Sequence, residues 1–192
     1  MKKTIQAGMI ISTVILITLG SCKKDDLLSV PVAFQKTDSL VVNFDPASSF
    51  TFFRFKDSAV VANSDSASAN WDFGLRLTTF ILNSHTYGSG DAGVILQNTS
   101  YSSVVTAPDA GYAYDTSASQ KAIKDGSWYN YNPLTHTFAP KAGQTFIIRT
   151  ANDFYVKMEI LAVDYEPFVG PMPVKLIYRF RYTYQANGTK NF

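Results

Sequence analysis

The side chains best suited to coordination chemistry are scarce in this chain. It has two histidines, one cysteine and four methionines in 192 residues. His136 closes the run Trp128-Tyr129-Asn130-Tyr131-Asn132-Pro133-Leu134-Thr135-His136, four residues before Pro140, in a loop entering a strand. His85 lies in Asn83-Ser84-His85-Thr86-Tyr87-Gly88-Ser89-Gly90, a loop after a strand. Neutral imidazole is a common metal ligand and a frequent axial ligand of haem iron, and a thioether can serve as the other axial ligand. Met172 sits between Pro171 and Pro173, outside any alternating run, where an apolar side chain needs a reason. Met158 alternates with Val156 and Ile160 and reads as core. His136, His85 and Met172 are therefore the candidate cofactor ligands, and the two histidines the candidate metal ligands. The competing reading of each histidine is a loop residue that caps a turn or faces water. Tyr87, Tyr129 and Tyr131 can stack on a porphyrin or a sugar, although tyrosine on a sheet surface is usually plain packing.

Enzymatic motifs find no support. Gly88-Ser89-Gly90-Asp91-Ala92-Gly93 fits the string G-x-G-x-x-G, but a dinucleotide site needs a helix N-terminus next to meet the pyrophosphate. Here Val94-Ile95-Leu96 follows, which reads as strand. No G-x-S-x-G, H-E-x-x-H or Cys–His zinc spacing is present. Asp153 with Glu159, and Asp164 with Glu166, lie on strand ends and read as solvated. The sequence predicts a protein that is not an enzyme.

The elements that position these residues are strands. The chain is 46% hydrophobic and 14% aromatic, enough for one domain with a real core, and this composition favours sheet over helix. Ser39 to Phe44 and Thr51 to Lys56 are short apolar runs around the turn chemistry of Asp45-Pro46-Ala47-Ser48-Ser49. Leu27 to Lys36 reads as linker or a first edge strand. Over Asn70 to Leu82, Trp71, Phe73, Leu75 and Leu77 alternate with polar or small residues, the period of a half-buried strand. Val94 to Gln97 is a short strand, and Thr99 to Gly111 reads as irregular with a strand near Val104. Ser117 to Lys124 is the one candidate helix, of one or two turns, ended by Gly126. Gln144 to Thr150 puts Phe146 and Ile148 on one face. Ala151-Asn152-Asp153 turns the chain into Phe154 to Tyr165, with Phe154, Val156, Met158, Ile160 and Ala162 on one face. Pro171-Met172-Pro173 breaks the chain before a last strand, Lys175 to Tyr184. The expectation is all-β: a single antiparallel β-sandwich-like domain with at most one short helix.

The N-terminus reads as a leader. Lys2 and Lys3 precede an apolar run, Met9 to Leu19, too short to span a bilayer, and small residues follow. Residues 1–21 are the expected signal peptide. Leu19-Gly20-Ser21-Cys22 resembles a bacterial lipobox, which implies cleavage before Cys22 and its acylation. As the only cysteine, Cys22 has no intramolecular disulfide partner, and a lone thiol in a secreted protein is accounted for by a lipid. Removing two lysines from the 17 basic residues leaves 15 against 15 acidic ones, a formal net charge of zero. No basic face for nucleic acid is expected, and membrane attachment comes from the lipid rather than from a basic patch. Residues 22–34 read as tether, with Lys23-Lys24-Asp25-Asp26 resembling the export signals of surface lipoproteins of Bacteroidetes. Residues 35–192 form the domain.

Four stretches together resemble the HmuY-like family of haem-binding lipoproteins of Bacteroidetes. They are Asn70-Trp71-Asp72-Phe73-Gly74-Leu75-Arg76; Trp128-Tyr129-Asn130-Tyr131-Asn132-Pro133 with Thr135-His136; Ile147 to Ala151 with Tyr155 to Leu161; and Tyr178 to Gln185. The resemblance covers roughly residues 35 to 188. It implies an all-β fold on the cell surface, lipid-anchored in the outer membrane. It also implies non-covalent b-type haem held by two axial His or Met side chains on loops, and transfer to an outer-membrane TonB-dependent receptor. The sequence departs from the family at the hairpin, with Ala151-Asn152-Asp153-Phe154 where Ala-Asp-Gly-Lys is usual. Family members also vary at the position of His136. Two other functions stay open: a lipoprotein that binds glycan or another flat ligand through Trp and Tyr, and an accessory protein of an outer-membrane transporter without haem.

Overall fold

The computed structural model describes residues 33–169 and 172–192. The expected signal peptide, Cys22 and the expected tether as far as residue 32 lie outside the described residues. Eleven strands follow one another: β1 (Phe34–Asn43), β2 (Thr51–Arg54), β3 (Ala59–Val61), β4 (Phe73–Arg76), β5 (Thr79–Leu82), β6 (Gly93–Gln97), β7 (Tyr129–Asn132), β8 (Thr137–Pro140), β9 (Thr145–Arg149), β10 (Tyr155–Val169) and β11 (Met172–Gln185). All pairings are antiparallel. A five-stranded sheet runs β1-β11-β10-β9-β6, a four-stranded sheet runs β3-β2-β4-β5, and β7-β8 form a separate hairpin.

The two larger sheets enclose one aromatic core. Leu176, Tyr178, Phe180, Tyr182 and Tyr184 of β11 are all buried, as alternation predicts. From the opposite sheet Phe53 and Phe73 meet them, with the Phe53 and Phe180 rings edge to face at 5.2 Å. Edge-to-face contacts place a ring's positive rim on its neighbour's negative face. The all-β expectation is met.

Several local expectations are corrected. Asn70 to Leu82 is not one strand but a hairpin, because the chain turns at Leu77, whose φ is +47°. Strand β4 is also buried on both faces. Gly74 fits beneath Phe52 and Ile81, where a Cβ would lie 3.0 Å from each. Those two residues form a second small core with Val61 and Trp71. Ser117 to Lys124 is not helical. Ser117 Oγ accepts the Gln120 amide, and the buried Asp115 carboxylate draws in the amides of Ala122 (2.7 Å) and Leu82 (2.6 Å). Side-chain acceptors have taken the amides that a helix would use. No strand forms near Val104; the segment holds a 3-10 turn at Tyr101–Ser103. Met172 is not outside a strand, since it opens β11 opposite Val169.

One irregularity matters for the site. In the β10–β11 pair Ile160 faces Phe180 and Ala162 faces Arg179, so Leu161 is an extra residue in β10. A bulge reverses the alternation beyond it. Val156, Met158 and Ile160 face the core before the bulge, and Val163 and Tyr165, rather than Ala162, pack against it afterwards.

Candidate functional site

His136 sits at the end of the loop that joins β7 to β8. Its φ is +53°, a left-handed conformation that favours glycine and costs an ordinary residue about 1–2 kcal/mol. The loop is held locally. Asn132 Oδ1 accepts the Leu134 amide at 2.9 Å, and the hydroxyls of Thr135 and Thr137 bond at 2.7 Å. Tyr131 and His136 face each other across the hairpin, with the Tyr131 hydroxyl 2.7 Å from Nδ1 of His136. If Nδ1 donates to that oxygen, Nε2 is the nitrogen with a free lone pair. A partner on one ring nitrogen fixing the other for a ligand is a recurring arrangement in metal sites.

The hairpin carrying His136 is fastened to the sandwich at three points. Trp128 is buried at its root and donates from Nε1 to the Thr78 carbonyl at 3.1 Å. The Phe138 ring is buried among Trp128, Tyr129, Tyr165 and Tyr178. Tyr165, turned inward by the bulge, accepts the Phe138 amide at 2.6 Å and donates to the Phe138 carbonyl at 3.0 Å. Tyr129 donates to Asp125 at 2.7 Å, and burial raises its pKa, so its phenol stays neutral.

Between hairpin and sandwich lies a cavity of about 500 Å³, walled by Phe44, Leu77, Tyr129, Tyr131, Phe138 and His136. That volume is within the range of small-ligand sites. Its walls are aromatic and aliphatic, with one imidazole and the Thr78 side among them. The shape chemistry suits a flat apolar ring with a Lewis-acidic centre.

His85 is placed elsewhere. It is exposed, with φ +45°, beside Tyr114 (ring centroids 5.5 Å) and 3.8 Å from Asp91, which Arg149 holds. Leu77 and Thr78, at the His136 cavity, precede β5, whereas Asn83 and His85 follow it. Five residues of extended chain between Thr78 and Asn83 span about 16 Å. The structure does not bring the two histidines together. Met172 is at the His136 end. The Phe44 amide donates to Val174 at 2.8 Å, and Met172 lies two residues from Val174 along β11. The side chain of Met172 lies outside the described residues.

Tyr129 and Tyr131 are readable as ring-stacking candidates in the sequence, and both line the cavity; Tyr87 instead packs on Phe50 in the second core. Phe44, Leu77 and Phe138 carry no such signal, since each reads as an ordinary strand apolar residue. The glycines Gly88 and Gly90 serve a loop packed on the buried Asn83, whose Oδ1 accepts the Gly90 amide at 2.9 Å, and β6 follows rather than a helix.

No family model matches the chain, and no curated protein matches it. Solved structures do. One is a candidate HmuY-like haem-binding protein of Bacteroides vulgatus, 12% identical, with 76% of this chain and 90% of that one covered and a TM-score of 0.47. A second is the apo form of an HmuY analogue of Tannerella forsythia, 9% identical, covering 81% and 98% at a TM-score of 0.49. A third is a candidate lipoprotein of Bacteroides fragilis, 9% identical, covering 75% and 88% at 0.43. Two of these solved structures that the chain is similar to are thus described by the HmuY name.

Proposed function

We propose that this protein captures haem at the cell surface, held to the outer membrane by lipid on Cys22, and passes it to a TonB-dependent receptor. The observation that carries the reading is His136: an imidazole in a left-handed turn, its Nδ1 engaged by Tyr131, on the wall of an aromatic cavity. A haem bound here would take donors from the protein to its iron. His136 Nε2 would be the first, and Met172, whose strand begins at the same end of the sandwich, would be the second. His85 lies beyond the far end of β5 and does not serve the same iron within one chain. Tyr131 orients the imidazole, while Tyr129, Phe138, Leu77 and Phe44 cover the ring and exclude water. The lipid anchor and the receptor rest on the lipobox and the motif resemblance of the sequence.

The test is a haem titration of the soluble form, beginning after Cys22, followed by absorbance. A saturable Soret band is expected. His136→Ala and Met172→Ala should shift or abolish it, and His85→Ala should leave it unchanged. His136→Gly is the stricter variant: glycine accepts φ +53° at no cost, so loss of the band with an unchanged melting temperature isolates the ligand role. A wild-type chain that gives no saturable change would sink the proposal.

A further inference from the structure

A second cleft, of about 500 Å³, opens at the other end of the sandwich, where the turn after β2 approaches the β9–β10 hairpin. Its chemistry is unlike that of the first. At its inner wall is Asp72, 3% exposed. One carboxylate oxygen accepts the Phe55 amide at 2.8 Å and the other the Ala151 amide at 3.3 Å. A carboxylate has about four acceptor positions, so two backbone amides leave room for further donors. Among the described residues no cation contacts it directly. Burial pushes its pKa up to about 6, the sign of a carboxylate short of donors.

The rest of the lining narrows the ligand class. Arg54 is committed to Asp57 through two hydrogen bonds of 2.8 and 2.7 Å, so that pair cancels. Lys56 and Asp72 then balance, and the four charged side chains of the cleft sum to zero. An ionic ligand would add net charge to a cleft that is already balanced. Asn70 and Asn152 add amide groups at the rim. Phe154 and Tyr184 add two tilted rings with centroids 5.7 Å apart. Burial pushes the Tyr184 pKa up to about 12, so its hydroxyl remains a donor. Neutral hydroxyls satisfy a donor-poor carboxylate without bringing charge, and the carbon face of a saturated ring packs on aromatic rings.

We propose that this cleft binds a neutral polyhydroxylated ring, a sugar residue of a glycan, with two of its hydroxyls donating to Asp72, a third accepting from the Tyr184 hydroxyl, and its carbon face against Phe154. The site is independent of the His136 cavity.

The test is amide-resolved NMR on the full chain, in a detergent without a sugar headgroup. The probes are the methyl glycosides of glucose, galactose and mannose, with putrescine as a cationic control. At least one glycoside should move the Phe55 and Ala151 amides saturably at millimolar concentration. Asp72→Asn should weaken that binding roughly tenfold, by exchanging acceptor capacity for donors. Because Asp72 also pins two turns, Asn152→Ala and Tyr184→Phe serve as variants that leave those bonds intact. Each should weaken the glycoside while the haem Soret band stays as in the wild type. Absence of saturable shifts with every glycoside, shifts with putrescine alone, or indifference to both milder variants would overturn the proposal.

Discussion

At the scale of single residues, the molecule puts unfavourable choices where chemistry is available. Both histidines occupy left-handed backbone, where glycine or asparagine would be more comfortable. Asp72 is the other case, a carboxylate at 3% exposure fixed by two backbone amides. Its folded pKa of about 6 lies above the ordinary value of 3.8. The folded state therefore binds the proton more tightly, and this residue's contribution to stability is full below about pH 4 and is lost as pH rises through 6. The difference corresponds to about 3 kcal/mol. Urea unfolding between pH 4 and pH 7 should show wild type losing stability relative to Asp72→Asn by up to that amount as pH rises. A gap between the two proteins that does not change with pH would contradict this account.

At the scale of elements, the bulge at Leu161 decides where the candidate site stands. Without the extra residue Tyr165 would point away from the core. With it, the Tyr165 hydroxyl bonds both backbone groups of Phe138 and fixes β8 against the sandwich. Tyr165→Phe removes one half-buried hydroxyl and leaves an amide and a carbonyl without it. The expected loss is about 1–3 kcal/mol of stability. Haem affinity should fall too, although no residue lining the cavity has changed. Equal haem titrations for wild type and Tyr165→Phe would show that the hairpin holds its place without this bond. A different tie operates behind the five-stranded sheet. Lys157 reads as an outward strand residue, yet it is 8% exposed and donates to the Val104 carbonyl at 2.7 Å. Its ammonium also lies 4.7 Å from the Tyr101 ring centre. It pins the irregular Thr99 to Gly111 segment over that face.

At the scale of the whole molecule, the sandwich separates two kinds of chemistry. One end carries the aromatic cavity with His136, and the other the polar cleft with Asp72. In the proposed arrangement Cys22 carries the lipid and a tether precedes β1. The mature chain then has no net charge to hold it at an anionic surface, so the acyl chains alone must do so. Cys22→Ala is expected to move the protein from the membrane fraction to the soluble one, with haem titration unaltered. Retention of the variant in washed membranes would remove the lipid from the account.

The sequence by itself determined the all-β class, most strand positions and the inward faces of β9 and β11, because alternation of apolar side chains is local information. It also singled out His136, Tyr129 and Tyr131 by residue type. It misread Asn70 to Leu82, since a left-handed Leu77 has no compositional mark, and Ser117 to Lys124, where Asp115 and Ser117 take the amides of a would-be helix. Ala162 was placed on the core face because the bulge at Leu161 leaves no mark in the local alternation, and the burial of Lys157 under a covering segment has no local mark either. Only the tertiary structure decided that His136 and the start of β11 share one end while His85 belongs to the other. Pairing across sheets fixes which loops meet, and neither periodicity nor residue type encodes it.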